Sequence, residues 1–157
     1  MTERSAGLLV YRVTGEEVLV LLVHPGGPFW AKREDGAWSI PKGEYQPDED
    51  PQAAAIREFN EELGVKPPST PLVDLGEVRQ AGGKLVRAWA VCGDFDVESV
   101  VSNTFEMEWP PRSGRSETFP EVDRAEWCDP STARRRLVPA QVAFLDALDR
   151  LLETQQL

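Results

Sequence analysis

Histidine is nearly missing from this chain: His24 stands alone among 157 residues. One imidazole cannot build a zinc site, and no cysteine pair lies near it to help. A structural or loop-positioning role is the expectation for His24. Cysteine is almost as scarce. Cys92 and Cys128 lie far apart and form no CxxC unit, so there is neither a disulfide framework nor a thiol redox motif. Two reduced, half-buried thiols are expected instead. Positive charge is outweighed, 17 Lys and Arg against 27 Asp and Glu, for a net charge of -10. Binding to a nucleic-acid polymer depends on neutralising phosphates with Lys and Arg, so that partner is excluded. An anionic membrane surface is excluded on the same ground. Long apolar runs are absent too. Val18 to Val23 is far too short to span a bilayer. The apolar stretch from Gly7 to Tyr11 stops at Arg12, too soon for a signal peptide. A soluble, cytoplasmic protein is expected.

What remains suits one domain over residues 1–157, with 41% hydrophobic residues and five Trp and six Phe to fill a core. Ser5 to Val13 reads as a strand, and Glu17 to His24 as a second strand buried on both faces. Pro25 to Pro28 breaks it, and a polar loop carrying Phe29 and Trp30 follows. Asp50 is a plausible N-cap with Pro51 at the first helical position, and Gly64 stops that helix. Leu72 to Gln80 and Lys84 to Gly93 read as a hairpin around Ala81-Gly82-Gly83. Phe105 to Trp109 and Arg124 to Cys128 are shorter strands, with a loop from Pro110 to Ser116. Helices are expected at Pro130 to Leu137 and at Pro139 to Leu152. The fold class is α/β, a layered α/β/α domain.

The chemistry concentrates in the helix before Gly64. Glu58, Glu61 and Glu62 sit at i, i+3 and i+4 and share one arc. Ile56, Phe59 and Leu63 occupy the neighbouring arc, which must face the core. Clustered Glu on a helix commonly means a solvated face. Here the acids adjoin the apolar stripe, a glycine loop precedes them, and Arg57 is placed to pair with Glu49. Crowded carboxylates raise one another's pKa. A hard divalent cation relieves that repulsion, because Mg2+ prefers oxygen ligands and shares its shell with phosphates and water. A metal-bound water beside a carboxylate is a nucleophile aimed at phosphorus.

Gly43, five residues, Glu49, seven residues, Arg57-Glu58-Phe59-Asn60-Glu61-Glu62-Leu63-Gly64-Val65 resembles a complete Nudix box, matched at all nine defined positions. The resemblance implies a Nudix-type α/β/α sandwich with a mixed β-sheet. It implies a Mg2+-dependent pyrophosphohydrolase, with Mn2+ as a possible substitute. Glu58, Glu61 and Glu62 would be the metal ligands. Glu58, Arg57 and Glu61 would carry catalysis, with Glu58 as a ligand or as the general base and Arg57 orienting it. Glu49 and Gly64 would be structural, and Gly43 would permit a tight turn into the helix while lying against substrate. Within the family the base is sometimes a Glu outside the box; Glu106, Glu108, Glu117 and Glu121 are then the candidates.

The approach to the box, Trp38 to Gly43, has Lys42 after Pro41, where many nucleotide-cleaning members have two glycines after the proline. In this it resembles the branch that includes diadenosine polyphosphate and diphosphoinositol polyphosphate hydrolases. Lys42 is either a point charge for a phosphate chain or a solvated lysine. Phe29, Trp30, Trp38 and Trp109 could stack a base, with Trp30 the foremost of them. Arg112 and Arg115 read as loop-solvating, and Arg134 to Arg136 as a solvated helix turn. The function expected is hydrolysis of a small-molecule nucleoside diphosphate linked to another moiety, dinucleoside polyphosphates favoured, by a monomer or homodimer. The alternative is a non-catalytic Nudix module that binds a nucleotide and regulates a partner. A Nudix-like isomerase would need a reactive Cys and further His ligands, which this chain does not offer.

Overall fold

A computed structural model describes residues 3–155; residues 1, 2, 156 and 157 of the expected domain lie outside it. Strand β1 (Arg4–Thr14) is the spine of the main sheet. It runs parallel to β5 (Leu85–Cys92) on one side. On the other it pairs antiparallel with β2 (Glu17–Pro25) near its C-terminal end and with β3 (Lys42–Glu44) near its start. Strand β4 (Val73–Arg79) extends the sheet beyond β5, and β8 (Val122–Cys128) extends it beyond β2. One parallel pair among antiparallel ones makes the sheet mixed, as expected.

Alternation along the central strands decides which layer each residue supports. Ala6, Leu8, Val10, Leu21 and Val23 point at helix α1 (Pro51–Leu63) and pack with Ala54, Ala55, Phe59 and Leu63. Leu9, Tyr11, Val20 and Leu22 point the other way. They meet Leu137 after α2 (Pro130–Arg136) and Phe144, Leu145 and Leu148 of α3 (Val142–Gln155). Strand β2 is therefore buried on both faces. Among the described residues no helix is long and apolar enough to cross a membrane.

Helix α1 begins and ends as its sequence dictates. Asp50 accepts a hydrogen bond from Ala53 N–H at 3.0 Å, Pro51 opens the first turn, and Gly64 closes the last with φ 71° and its N–H on Asn60 O. Loss of such a cap typically costs about 1 kcal/mol. Asp50→Ala is therefore expected to lower stability by about that much in thermal denaturation.

Four differences from the sequence reading have physical reasons. Ile56 is exposed; the buried arc of α1 is set by Ala54, Ala55, Phe59 and Leu63. Gly43 makes no tight turn. It lies inside β3 without positive φ, opposite Ala6. A second small sheet pairs β6 (Thr104–Glu108) with β7 (Ser116–Pro120). Strand β7 was hidden by a polar sequence with only Phe119 facing Phe105. Finally, Arg134, Arg135 and Arg136 are not a merely solvated turn: they pair with Asp146, Asp35 and Glu126 respectively.

Candidate active site

Pairing of β3 with β1 lays the segment Lys42–Glu44 beside α1. A Cβ placed on Gly43 would overlap the Glu58 carboxylate. Glycine is needed here for this close approach rather than for a turn. The Glu58 side chain lies against β3, and Arg57 Nη1 donates to its Oε1 at 2.8 Å.

Arg57 joins three carboxylates. Its Nε and Nη2 donate to both oxygens of Glu49 at 2.8 and 2.9 Å, a bidentate pair across the loop. Nη1 also reaches Glu61 Oε2 at 3.1 Å. The expected clasp between Arg57 and Glu49 is present. The clasp pulls the Glu49 carboxyl below its ordinary range, the hydrogen bond from Arg57 being the first cause. It holds the guanidinium more firmly protonated.

The three helix glutamates have different surroundings. Glu61 is exposed. Burial raises the Glu58 carboxyl above its ordinary value against the opposing pull of Arg57. Burial raises Glu62 further, to about 8, with Lys42 the main opposing influence. Burial in turn lowers Lys42, with help from Lys84, while Glu62, Glu44 and Glu58 pull it back up. Lys42 is thus a half-buried ammonium beside the acids.

Lys42 and Glu62 open onto a cavity of about 410 Å3. Trp30 and Glu121 line it as well, as do Ser39, Gln80 and Gln141. Of the glutamates outside the box, Glu121 alone is in this lining; Glu106, Glu108 and Glu117 lie on the β6–β7 hairpin. Trp30 is 37% exposed, with Arg33 over its ring. Trp38 is fully buried between Arg124 and Arg136 and is removed from the list of stacking residues. Trp109 packs edge-on against Phe29. His24, also fully buried, pairs with Asp123 and with the carbonyl of Arg33 at 2.7 Å each, anchoring the loop that carries Trp30. Arg112 and Arg115 are exposed at the tip of the β6–β7 hairpin. Cys128 is buried and Cys92 exposed, both reduced.

Sequence reasoning passed over Ser39, Gln80 and Gln141. A signal for Gln141 was there: it stands four and seven residues before Leu145 and Leu148, on the face that packs inward.

Among the described residues no three carboxylates, imidazoles or thiolates converge into a ready-made metal cluster; Glu58 and Glu61 are each engaged by Arg57. The donor set nonetheless suits a hard cation. It consists of carboxylate oxygens alone, and burial makes the charged form of two of the three costly, a cost that a bound cation offsets.

Comparison with known proteins agrees with this geometry. A family model described as NUDIX domain matches residues 1–148. An octanoyltransferase from Myxococcus xanthus is 31% identical over 134 residues, covering 85% of this chain and 33% of that protein. An RNA pyrophosphohydrolase from Hahella chejuensis is 38% identical over 56 residues, 34% of this chain and 35% of that one. The chain thus spans about a third of the length of the curated relatives it matches. Among solved structures, a C. elegans Ap4A hydrolase in a binary complex shares the fold, with TM-score 0.67 and 22% identity over 98% of this chain and 99% of that one.

Proposed function

The chain belongs to the Nudix family, and from that membership we propose that it is a divalent-metal-dependent pyrophosphohydrolase. Its substrate is a nucleoside diphosphate joined to another moiety, dinucleoside polyphosphates foremost. The observation that carries this reading is the shared cavity: a half-buried acid, Glu62, and a half-buried cation, Lys42, line it with a further carboxylate, Glu121, and an exposed indole, Trp30.

In this reading Glu58, Glu61 and Glu62 provide the oxygen ligands for Mg2+, with Mn2+ able to replace it. When bound, the ion neutralises charge on the diphosphate and makes water a nucleophile. Lys42 binds a phosphate oxygen as a point charge in a poorly hydrated place. Glu121 accepts the proton from the attacking water, because it lies in the cavity while Glu58 is engaged by Arg57 against β3. Arg57 and Glu49 hold the loop before α1 against the helix, so that β3 and the glutamates keep their spacing. Trp30 offers its face to a base.

The test is a Mg2+-dependent screen of the purified protein over nucleoside triphosphates, dinucleoside polyphosphates, nucleotide sugars and diphosphoinositols. Turnover that is lost with EDTA supports the proposal. Tight nucleotide binding without turnover on any of them would replace it with the non-catalytic module, a reading that the full set of box glutamates opposes. Lys42→Met is expected to raise KM about tenfold with a smaller change in kcat, since it removes a phosphate contact made before as well as during reaction. An unchanged KM would remove Lys42 from the binding set.

A further inference from the structure

His24 is the only histidine of the chain, and its imidazole is fully buried with an acceptor on each side. Nε2 faces the carbonyl of Arg33 at 2.7 Å, and Nδ1 faces Asp123 Oδ1 at 2.7 Å. A carbonyl and a carboxylate both accept, so the ring donates from both nitrogens. Asp123 reaches it because β8 is bulged there. Arg124 stands opposite His24 and Val122 opposite Pro25, with Asp123 the extra residue between them. Such a bulge re-aims a side chain. Trp38 meets the ring edge-on at 5.2 Å, Glu34 stands 3.8 Å from Nε2, and Arg124 pairs with Glu34.

The two bonds act on different segments. From Arg33 a short chain of hydrogen bonds leads to the stacking residue. Arg33 N–H donates to the Trp30 carbonyl at 3.0 Å, and Trp30 N–H to the Gly27 carbonyl at 3.4 Å. Residues 29–33 are exposed throughout, so this turn has little packing of its own. On its N-terminal side it leans on the β6–β7 ribbon, with Phe29 edge-on to Trp109 and Gly27 close against Phe105. A two-stranded ribbon is itself a marginal support. On its C-terminal side His24 ties it to the buried sheet. Asp123, the other partner of the ring, lies two residues after Glu121, whose carbonyl accepts from Gly26 N–H at 3.0 Å.

We propose that His24 is a positioning residue for the nucleotide site, and that this double-donor ring sets the place of Trp30 against a bound base from beneath. Asp123 fixes the rotation of the ring, Nε2–H holds the Arg33 carbonyl, and the turn brings the indole to the cavity. His24 touches neither substrate nor reacting atoms; it acts through Trp30. Stacking contacts fall off steeply with small gaps, so a turn left to shift forfeits part of the base contact. Glutamine cannot stand in for the ring. It carries both donors on one nitrogen and turns its oxygen toward the second acceptor.

This inference rests on the proposal that the cavity holds a nucleotide, so its test separates binding from turnover. Binding of ADP with Mg2+ is measured by calorimetry on the full chain, on His24→Gln, on Trp30→Ala and on the double variant. Trp30→Ala is expected to weaken binding about tenfold. His24→Gln is expected to give most of that loss, and the double variant no more than Trp30→Ala alone. Losses that multiply to about a hundredfold in the double variant, which is what a merely structural residue gives, would overturn the inference. So would unchanged binding in His24→Gln, or no binding of ADP by the wild type. Two variants of Asp123 test the same tie without touching the buried ring. Asp123→Ala is expected to weaken ADP binding. Asp123→Asn is expected to restore it, because its amide donates to Nδ1 once that nitrogen gives up its hydrogen. An asparagine no better than alanine would count against the tie. In the ligand-free protein labelled with 5-fluorotryptophan, His24→Gln should shift the Trp30 resonance and leave those of Trp89 and Trp127 in place. A Trp30 resonance that does not move would overturn the inference. Coupled losses in binding without any hydrolysis would overturn the catalytic proposal and support this one; hydrolysis with multiplying losses would do the reverse.

Discussion

Glu62→Gln is expected to lose hydrolysis by on the order of 10³-fold while keeping the fold, since it removes a ligand charge without changing shape. Its stability carries the more diagnostic signature. In the metal-free protein the Glu62 carboxyl titrates at about 8, against an ordinary 4.5. Between those values the folded chain keeps a proton that the unfolded chain releases. The sign follows: this contribution is fully present below the unfolded value and is lost as pH rises through the folded one. The steepest slope is about 1.4 kcal/mol per pH unit. Burial of Glu58 acts in the same direction. The EDTA-treated protein should therefore show a Tm that falls between about pH 5 and pH 8, and Glu62→Gln should flatten that fall. Added Mg2+ should raise the wild-type Tm most at the alkaline end, because a ligand of the folded state stabilises by mass action. A wild-type Tm that climbs over this range would contradict the buried acid. Full activity in the variant would remove Glu62 from the metal site.

Gly43→Ala is the second large effect, and it separates chemistry from folding. The new methyl takes the volume of the Glu58 carboxylate. Backbone pairing of Gly43 with Ala6 prevents β3 from backing away, so the side chain must yield and its hydrogen bond with Arg57 is lost. Activity is expected to fall on the order of 10²-fold, the scale set by displacing a catalytic or ligating group. Stability should fall by only about 1 kcal/mol, because Gly43 is not in a left-handed conformation and alanine meets no backbone strain there. Kinetics and thermal melting of the same preparation check both halves. A variant that unfolds without selective loss of activity would show Gly43 to be a packing position alone.

The box was legible because its information is local. Asp50, Pro51 and Gly64 bracket the helix through contacts spanning a few residues, and the clasp between Glu49 and Arg57 crosses only one loop. The central strands were legible through runs of apolar residues that a doubly covered sheet requires. What escaped was non-local. The closeness of Gly43 to Glu58 depends on β3 adding to β1, and three residues of Lys-Gly-Glu carry no strand signature. Strand β7 is polar along most of its length, and only its partner makes it a strand. Ile56 was assigned inward on spacing alone, whereas the true centre of the face is set by the small Ala54 and Ala55, which let α1 sit close to the sheet. Lys42 was left undecided in the sequence because its partial burial depends on β3 adding to β1, and the like charge of Lys84 beside it comes from far along the chain. The hydrogen bonds among Ser39, Gln80 and Gln141 join three separate segments and could not be seen before they met.

Division of the interior into two apolar clusters by one sheet has a consequence for how such a molecule changes over time. The helix that carries the glutamates rests on one cluster. Leu137, Phe144 and Leu145, which flank Val138 and Gln141 in the chain, rest on the other. Substitutions on the inner faces of α2 and α3 therefore load the second cluster and leave the packing beneath the glutamates untouched. A large-to-small change in one cluster is expected to be felt first by the layer that rests on it, with the sheet standing between it and the other.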